Sequence, residues 1–66
     1  MTRLEQERRK RGWTQIQLAY RAKLQQGDIS AMERGRRRLG PKRMARLAKV
    51  LGVPAAELLI EMGESP

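Results

Sequence analysis

The sequence predicts an all-α fold: a compact bundle of five short helices forming one domain over residues 1–66. Three observations carry that reading. Helix caps and breakers recur at short intervals, apolar residues repeat at helical spacing, and no stretch has the apolar–polar alternation of a strand. Thr2 precedes the strongly helical run LEQERRKR, which Gly12 stops, as glycine does just past a helix end. Thr14-Gln15-Ile16-Gln17 is a capping box and predicts a second helix from about Gln15 to Ala22. After a break at Lys23-Leu24-Gln25, QGDISAMER reads as a third helix closed by Gly35, with Ile29 and Met32 forming a narrow apolar stripe. GRRRLGP is a loop. Pro41 suits a first helical turn, Met44, Leu47, Ala48 and Leu51 repeat at i, i+3, i+4, i+7, and Gly52 ends the fourth helix. Pro54 is expected to open a fifth, over about 54–62, carrying Leu58, Leu59 and Met62.

Composition narrows the function. The chain has no cysteine and no histidine, which removes disulfides, thiolate metal sites, the commonest metal ligand and the commonest general base. Its acids are scattered singly, so no nucleophile–base constellation can be written; the expectation is no enzyme, no cofactor, no metal and no small-molecule substrate. The first residues, MTRLEQERRKRG, lack the apolar region of a signal peptide, and no apolar run approaches the roughly 20 residues of a membrane span. The expected location is therefore cytoplasmic, the prokaryotic cytosol or nucleoid, with no membrane partner. Fifteen Lys and Arg face seven Asp and Glu, and the charge is uneven: residues 1–49 carry all the bases and a net +11, residues 50–66 carry −3. That distribution fits a polyanion-binding surface, against the plainer reading of charge as a source of solubility. The basic residues are not segregated on one amphipathic helix, which argues against a membrane-active peptide.

The second and third helices, joined by about three residues, form the αα unit of a helix-turn-helix over about 15–34. Leu18, Ala19, Leu24, Ile29 and Met32 lock one helix across the other, with Ala19 small where they cross. The segment TQIQLAYRAKLQQGDISAMERGRRR, together with Arg8, Gly12 and Trp13 before it and LAKVLGVPAAELL after it, resembles the lambda-repressor/Cro-type (XRE-like) helix-turn-helix family over roughly residues 4 to 60.

That resemblance implies a lambda-repressor-like domain and roles for particular residues. Gln15, at the start of the second helix, corresponds to a phosphate ligand; its alternative is support of the cap. Gln26 falls where family members contact base edges, and a Gln amide can engage adenine N6 and N7 together. Helical geometry puts Gly27 and Ala31 each about 160° from Ile29, toward the groove, and both are tiny. Asp28 flanks that face, either accepting from cytosine N4 or repelling phosphates. Ser30 and Arg34 are further candidates, Arg34 for a phosphate, and Gln25 stands at or near the cap. Arg36, Arg37 and Arg38 lie in the loop that in the family follows the DNA backbone, and Lys42 and Arg43 extend the strip. So sparse a groove face suggests that DNA shape supplies part of the specificity. Arg8 and Glu33 match residues that form a largely buried ion pair between the first and third helices.

The chain departs from the family pattern at three places. Lys23 stands where glycine is common, so it is either strained or part of a different turn, and it can reach a phosphate. Pro54 replaces a polar cap. Trp13 replaces Leu or Ile and is expected in the core between the first, second and fifth helices.

The function expected is sequence-specific binding of double-stranded DNA by a transcriptional regulator, a repressor with its third helix in the major groove. It is expected to act as a homodimer on a palindrome, with Leu59, Ile60 and Met62 on the C-terminal helix as the candidate dimer surface. The alternative is an antitoxin-like module that binds a protein partner as well as DNA, with Ile16, Ile60 and the tail facing the partner.

Overall fold

The computed structural model describes residues 1–63. Four α-helices follow one another: α1 (Arg3–Lys10), α2 (Gln15–Ala22), α3 (Gln26–Glu33) and α4 (Pro41–Leu51), with a 3₁₀ turn at Ala55–Glu57. Local chemistry sets the boundaries. Thr2 Oγ1 accepts from the Glu5 N–H at 3.2 Å and opens α1. The Thr14–Gln17 capping box opens α2: Gln17 N–H donates to Thr14 Oγ1 at 3.1 Å and Thr14 N–H to Gln17 Oε1 at 2.8 Å. Pro41 begins α4, where its missing N–H costs nothing. Gly12 and Gly52 close α1 and α4 with φ of +71° and +66°.

The chain after α4 differs from the expected fifth helix over about 54–62. Only a 3₁₀ turn forms; the chain turns again at Leu58 and Leu59, and Glu61 then pairs antiparallel with Thr2. The reason lies at the other end of the chain. An α-helix leaves its first N–H groups without partners. Here Arg3 N–H donates to the Ile60 carbonyl and Leu4 N–H to the Leu58 carbonyl, each at 2.9 Å, while Met62 N–H donates to the Met1 carbonyl at 2.7 Å. Carbonyls that would have carried a fifth helix serve instead to cap the first.

The core holds Leu4, Leu18, Ala19, Ala22, Ile29, Met32, Leu39, Met44, Leu47, Leu51, Val53 and Leu58. One apolar face of every element thus meets in a single cluster, and α2 packs on α3 most extensively. Trp13 differs from its expected core position. It is half-buried at the edge of the cluster, with the Arg21 guanidinium 4.4 Å and that of Arg11 5.8 Å from the ring centre. An indole is too large for this small interior, and its face is more favourably covered by cations.

Under this scaffold lies a network centred on Glu7. Its buried carboxylate takes Arg3 at 3.0 Å and Arg11 at 2.8 Å, each one helical turn away, and Lys10 at 3.4 Å. Arg11 and Arg3 in that order hold the Glu7 carboxyl down at about 2, against a smaller opposing effect of burial. Arg11 also donates to the Leu51 carbonyl at 2.7 Å, tying α1 to the end of α4.

Candidate nucleic-acid interface

α3 is exposed along the side away from the core. Gln26, Gly27 and Arg34 are exposed, and Ser30 and Ala31 are half-exposed. An α-helix with its side chains is about 10–12 Å across, close to the width of a B-DNA major groove. Gly27 and Ala31 leave the middle of this face nearly bare of side chains, so any partner surface can approach the helix backbone closely.

One flank of α3 carries a connected polar chain. Arg8 grips Glu33 with two parallel contacts, Nε to Oε2 at 2.6 Å and Nη2 to Oε1 at 3.0 Å, and spends Nη1 on the Trp13 carbonyl at 2.9 Å. The pair is largely buried, and the Glu33 hydrogen bond pushes the Arg8 pKa above its already high value. Gln15 Nε2 donates to Glu33 Oε1 at 3.0 Å, and Gln26 Nε2 donates to Gln15 Oε1 at 2.8 Å. This order is forced: Glu33 accepts only, so the Gln15 amide must turn its nitrogen inward and its oxygen toward Gln26. A buried charge therefore fixes the orientation of two amides at the surface.

The opposite flank is set by Asp28. One of its oxygens faces the Gln25 N–H at 3.4 Å, at the start of α3, and the other faces Arg37 of the loop at 3.6 Å. Asp28 thus forms the half of a capping box in which the third helical residue reaches back to the N–H of the cap residue. Lys23 adopts the left-handed conformation, φ 58° and ψ 45°, and closes α2 through its N–H. Arg36, Arg37 and Arg38 are exposed in the loop. Leu59 and Met62 are half-buried and Ile60 is 50% exposed, but Leu59 lies in a turn and Ile60 and Met62 on the chain that follows it, not together on a helix face.

Residue-type reasoning missed one member of this region. Arg46 of α4 donates from Nε to the Ala22 carbonyl at 3.1 Å and from Nη2 to the Lys23 carbonyl at 3.3 Å. Its signal was its place three residues after Arg43, on the same side of α4 and opposite the apolar stripe.

Two short helices crossing over a buried Ala19, joined by a three-residue turn, with the outer face of the second left open, define a helix-turn-helix unit of the DNA-binding class. The helix-turn-helix family model matches residues 4–58, and the chain belongs to that family, in its XRE/lambda-repressor type, a family of DNA-binding transcription regulators. No curated protein and no solved structure gave a match. Among the described residues, no helix is long and apolar enough to cross a membrane.

Proposed function

We propose that the chain is a sequence-specific regulator of transcription, a repressor, that inserts α3 in the major groove of double-stranded DNA. The observation that carries this reading is the Glu33–Gln15–Gln26 chain beside the bare Gly27–Ala31 face. With its Nε2 already engaged by one hydrogen, Gln26 turns its second N–H and its Oε1 outward, the pattern that adenine N6 and N7 recognise. Gln15, at the N-terminus of α2, adds its remaining amide hydrogen and nearby backbone N–H groups for a phosphate. Arg34, Arg36 and Arg38 supply further phosphate contacts, and Asp28 selects against phosphate at its own position. Ser30 is short enough to reach a base or a bridging water.

The dimer expected on a palindrome now rests on Leu59, Ile60 and Met62 of the segment after the 3₁₀ turn. A random duplex pool, titrated across a salt series and sequenced in the bound fraction, tests the reading. The expected result is an enriched two-fold symmetric site, with affinity that falls steeply with salt. Gln26→Ala is expected to relax one position of the site by about 1–3 kcal/mol. Gln15→Ala is expected to weaken all sequences about equally. Binding without enrichment in the wild type would sink the proposal.

A second reading, a module that also docks a protein, is favoured by the exposed Ile16 (67%) and Tyr20 (82%), one helical turn apart on α2. Ile16→Asp should abolish partner capture and leave the enriched DNA sequence unchanged if that reading holds.

A further inference from the structure

The bend between α2 and α3 is held from two sides. An α-helix ends with carbonyls that its own backbone cannot pair. At the end of α2, the Lys23 N–H donates to the Tyr20 carbonyl at 3.2 Å and the Leu24 N–H to the Ala19 carbonyl at 2.8 Å. The carbonyls of the same two peptide groups, those of Ala22 and Lys23, accept from Arg46 of α4, from Nε at 3.1 Å and from Nη2 at 3.3 Å. Two consecutive peptide planes are thus gripped at both ends, by α2 through their N–H groups and by α4 through their carbonyls. We infer that Arg46 is a positioning residue for base readout: without touching DNA, it fixes the turn through which α3 takes its direction.

Arg46 stands between Met44 and Leu47, both buried, so the base of its side chain moves only if α4 does. Its Nε–H and one Nη2–H lie side by side on a planar guanidinium, a fork that suits two successive carbonyls. The positive charge also suits the C-terminal end of α2. The turn needs such a clamp. Lys23 holds a left-handed backbone with a β-carbon, and strain of that kind persists only where the surroundings over-determine it.

The far end of α3 is tied separately, by Glu33 to Arg8. A looser turn therefore lets α3 swing about that end, and the largest displacement falls at its first residues. Gln26 stands there, 2.8 Å from Gln15 across the helix crossing. The inference rests on the proposed reading of bases by α3, and adds a residue of α4 to those that decide which sequence is read. A cation at this place that met a phosphate would instead strengthen every duplex alike.

Amide hydrogen exchange of the free protein and duplex binding across a salt series test the inference together. Sequence preference is measured as the ratio of affinities for the enriched site and for random duplex. Arg46→Met keeps the reach of the side chain and removes its donors. It is expected to speed exchange at Lys23 and Leu24 roughly tenfold, about the worth of one charge-assisted hydrogen bond, and more than at Leu18 and Leu47. Sequence preference should fall roughly tenfold, about what one mismatched base pair costs, with the salt slope unchanged. Arg46→Lys keeps the charge but has no fork, and should recover the preference only in part. Lys49→Gln, which removes a charge from the exposed last turn of α4, should change neither readout. Uniform weakening of all duplexes in Arg46→Met, a salt slope lower by about one and full recovery in Arg46→Lys would make Arg46 a phosphate ligand and overturn the inference. Preference retained in Arg46→Met also overturns it, and spares the reading of α3 as the base-contacting helix. Exchange unchanged in Arg46→Met overturns it whatever the duplexes show. A wild type that selects no sequence sinks the DNA reading, and with it the role in readout, while exchange at Lys23 and Leu24 still decides whether Arg46 holds the turn.

Discussion

Glu7 and Glu33 are both carboxylates gripped by arginine, yet their removal has different consequences. Around Glu7 the partners are themselves open to water, with side-chain exposures of 29% for Arg3, 31% for Arg11 and 67% for Lys10. Screening therefore reduces what the ion pairs contribute, to on the order of 1 kcal/mol. The sign follows from linkage: the carboxyl is depressed in the folded state to about 2 from 4.5. Its stabilisation is present above the unfolded value and is lost as pH falls through that window toward 2. Acid unfolding followed by the fluorescence of Trp13, the sole tryptophan, should be flatter between those limits in Glu7→Gln than in the wild type.

The Arg8–Glu33 pair is more deeply covered, with 11% and 4% of the side chains exposed. Glu33→Ala strands the Arg8 guanidinium and is expected to cost roughly 3–5 kcal/mol, a loss visible in urea unfolding. Arg8→Met combined with Glu33→Leu should recover much of that stability. If the double replacement also turns the Gln15 amide freely, selection at the Gln26 position of the DNA site should fall while the fold survives.

At the scale of elements, the α2–α3 turn holds the one non-glycine residue with positive φ among those described, Lys23. A left-handed backbone with a β-carbon costs roughly 1–2 kcal/mol. Lys23→Gly is therefore expected to raise the melting temperature, with a gain of about 1 kcal/mol after the added freedom of the unfolded chain is deducted. It should at the same time weaken DNA binding and lower its salt dependence, because it removes a cation within reach of a phosphate. Stability and ligand affinity moving in opposite directions on one substitution would separate a strained functional turn from a merely tolerated one.

The helices themselves were legible because their signals are local. Thr14 and Gln17 stand three residues apart and meet through their own backbone, so four letters contain the start of α2. The same holds for the Met44–Leu47–Leu51 stripe and for Pro41. The cross-flank contacts were less legible. Nothing in the spacing of Gln15 and Gln26 states that the two amides touch, because that depends on the angle at which α2 crosses α3. Arg46 was overlooked for a related reason: its partners are carbonyls, which have no letter of their own.

The whole molecule carries the clearest failure of local reading. Leu58 is fully buried and Leu59 partly so, and their spacing suits a helix as well as the turn that forms. The choice is made by α1, more than fifty residues earlier, whose unsatisfied N–H groups take the carbonyls of Leu58 and Ile60. A window of sequence around Pro54 contains no trace of that demand.

The bridge between Thr2 and Glu61 also offers a handle for covalent chemistry. The two residues form a non-hydrogen-bonded antiparallel pair, flanked by the Arg3–Ile60 and Met62–Met1 bonds, an arrangement in which α-carbons lie about 4.5 Å apart, within the range that a disulfide spans. The chain contains no cysteine, so a Thr2→Cys, Glu61→Cys variant could oxidise within one molecule only to the intended cross-link. Closing a loop of about 60 residues restricts the unfolded ensemble by about 4 kcal/mol in the chain-entropy account, less about 1 kcal/mol for the lost cap of α1. Oxidised protein should thus melt well above its reduced form, and a ring so made would keep α3 and both its flanks untouched.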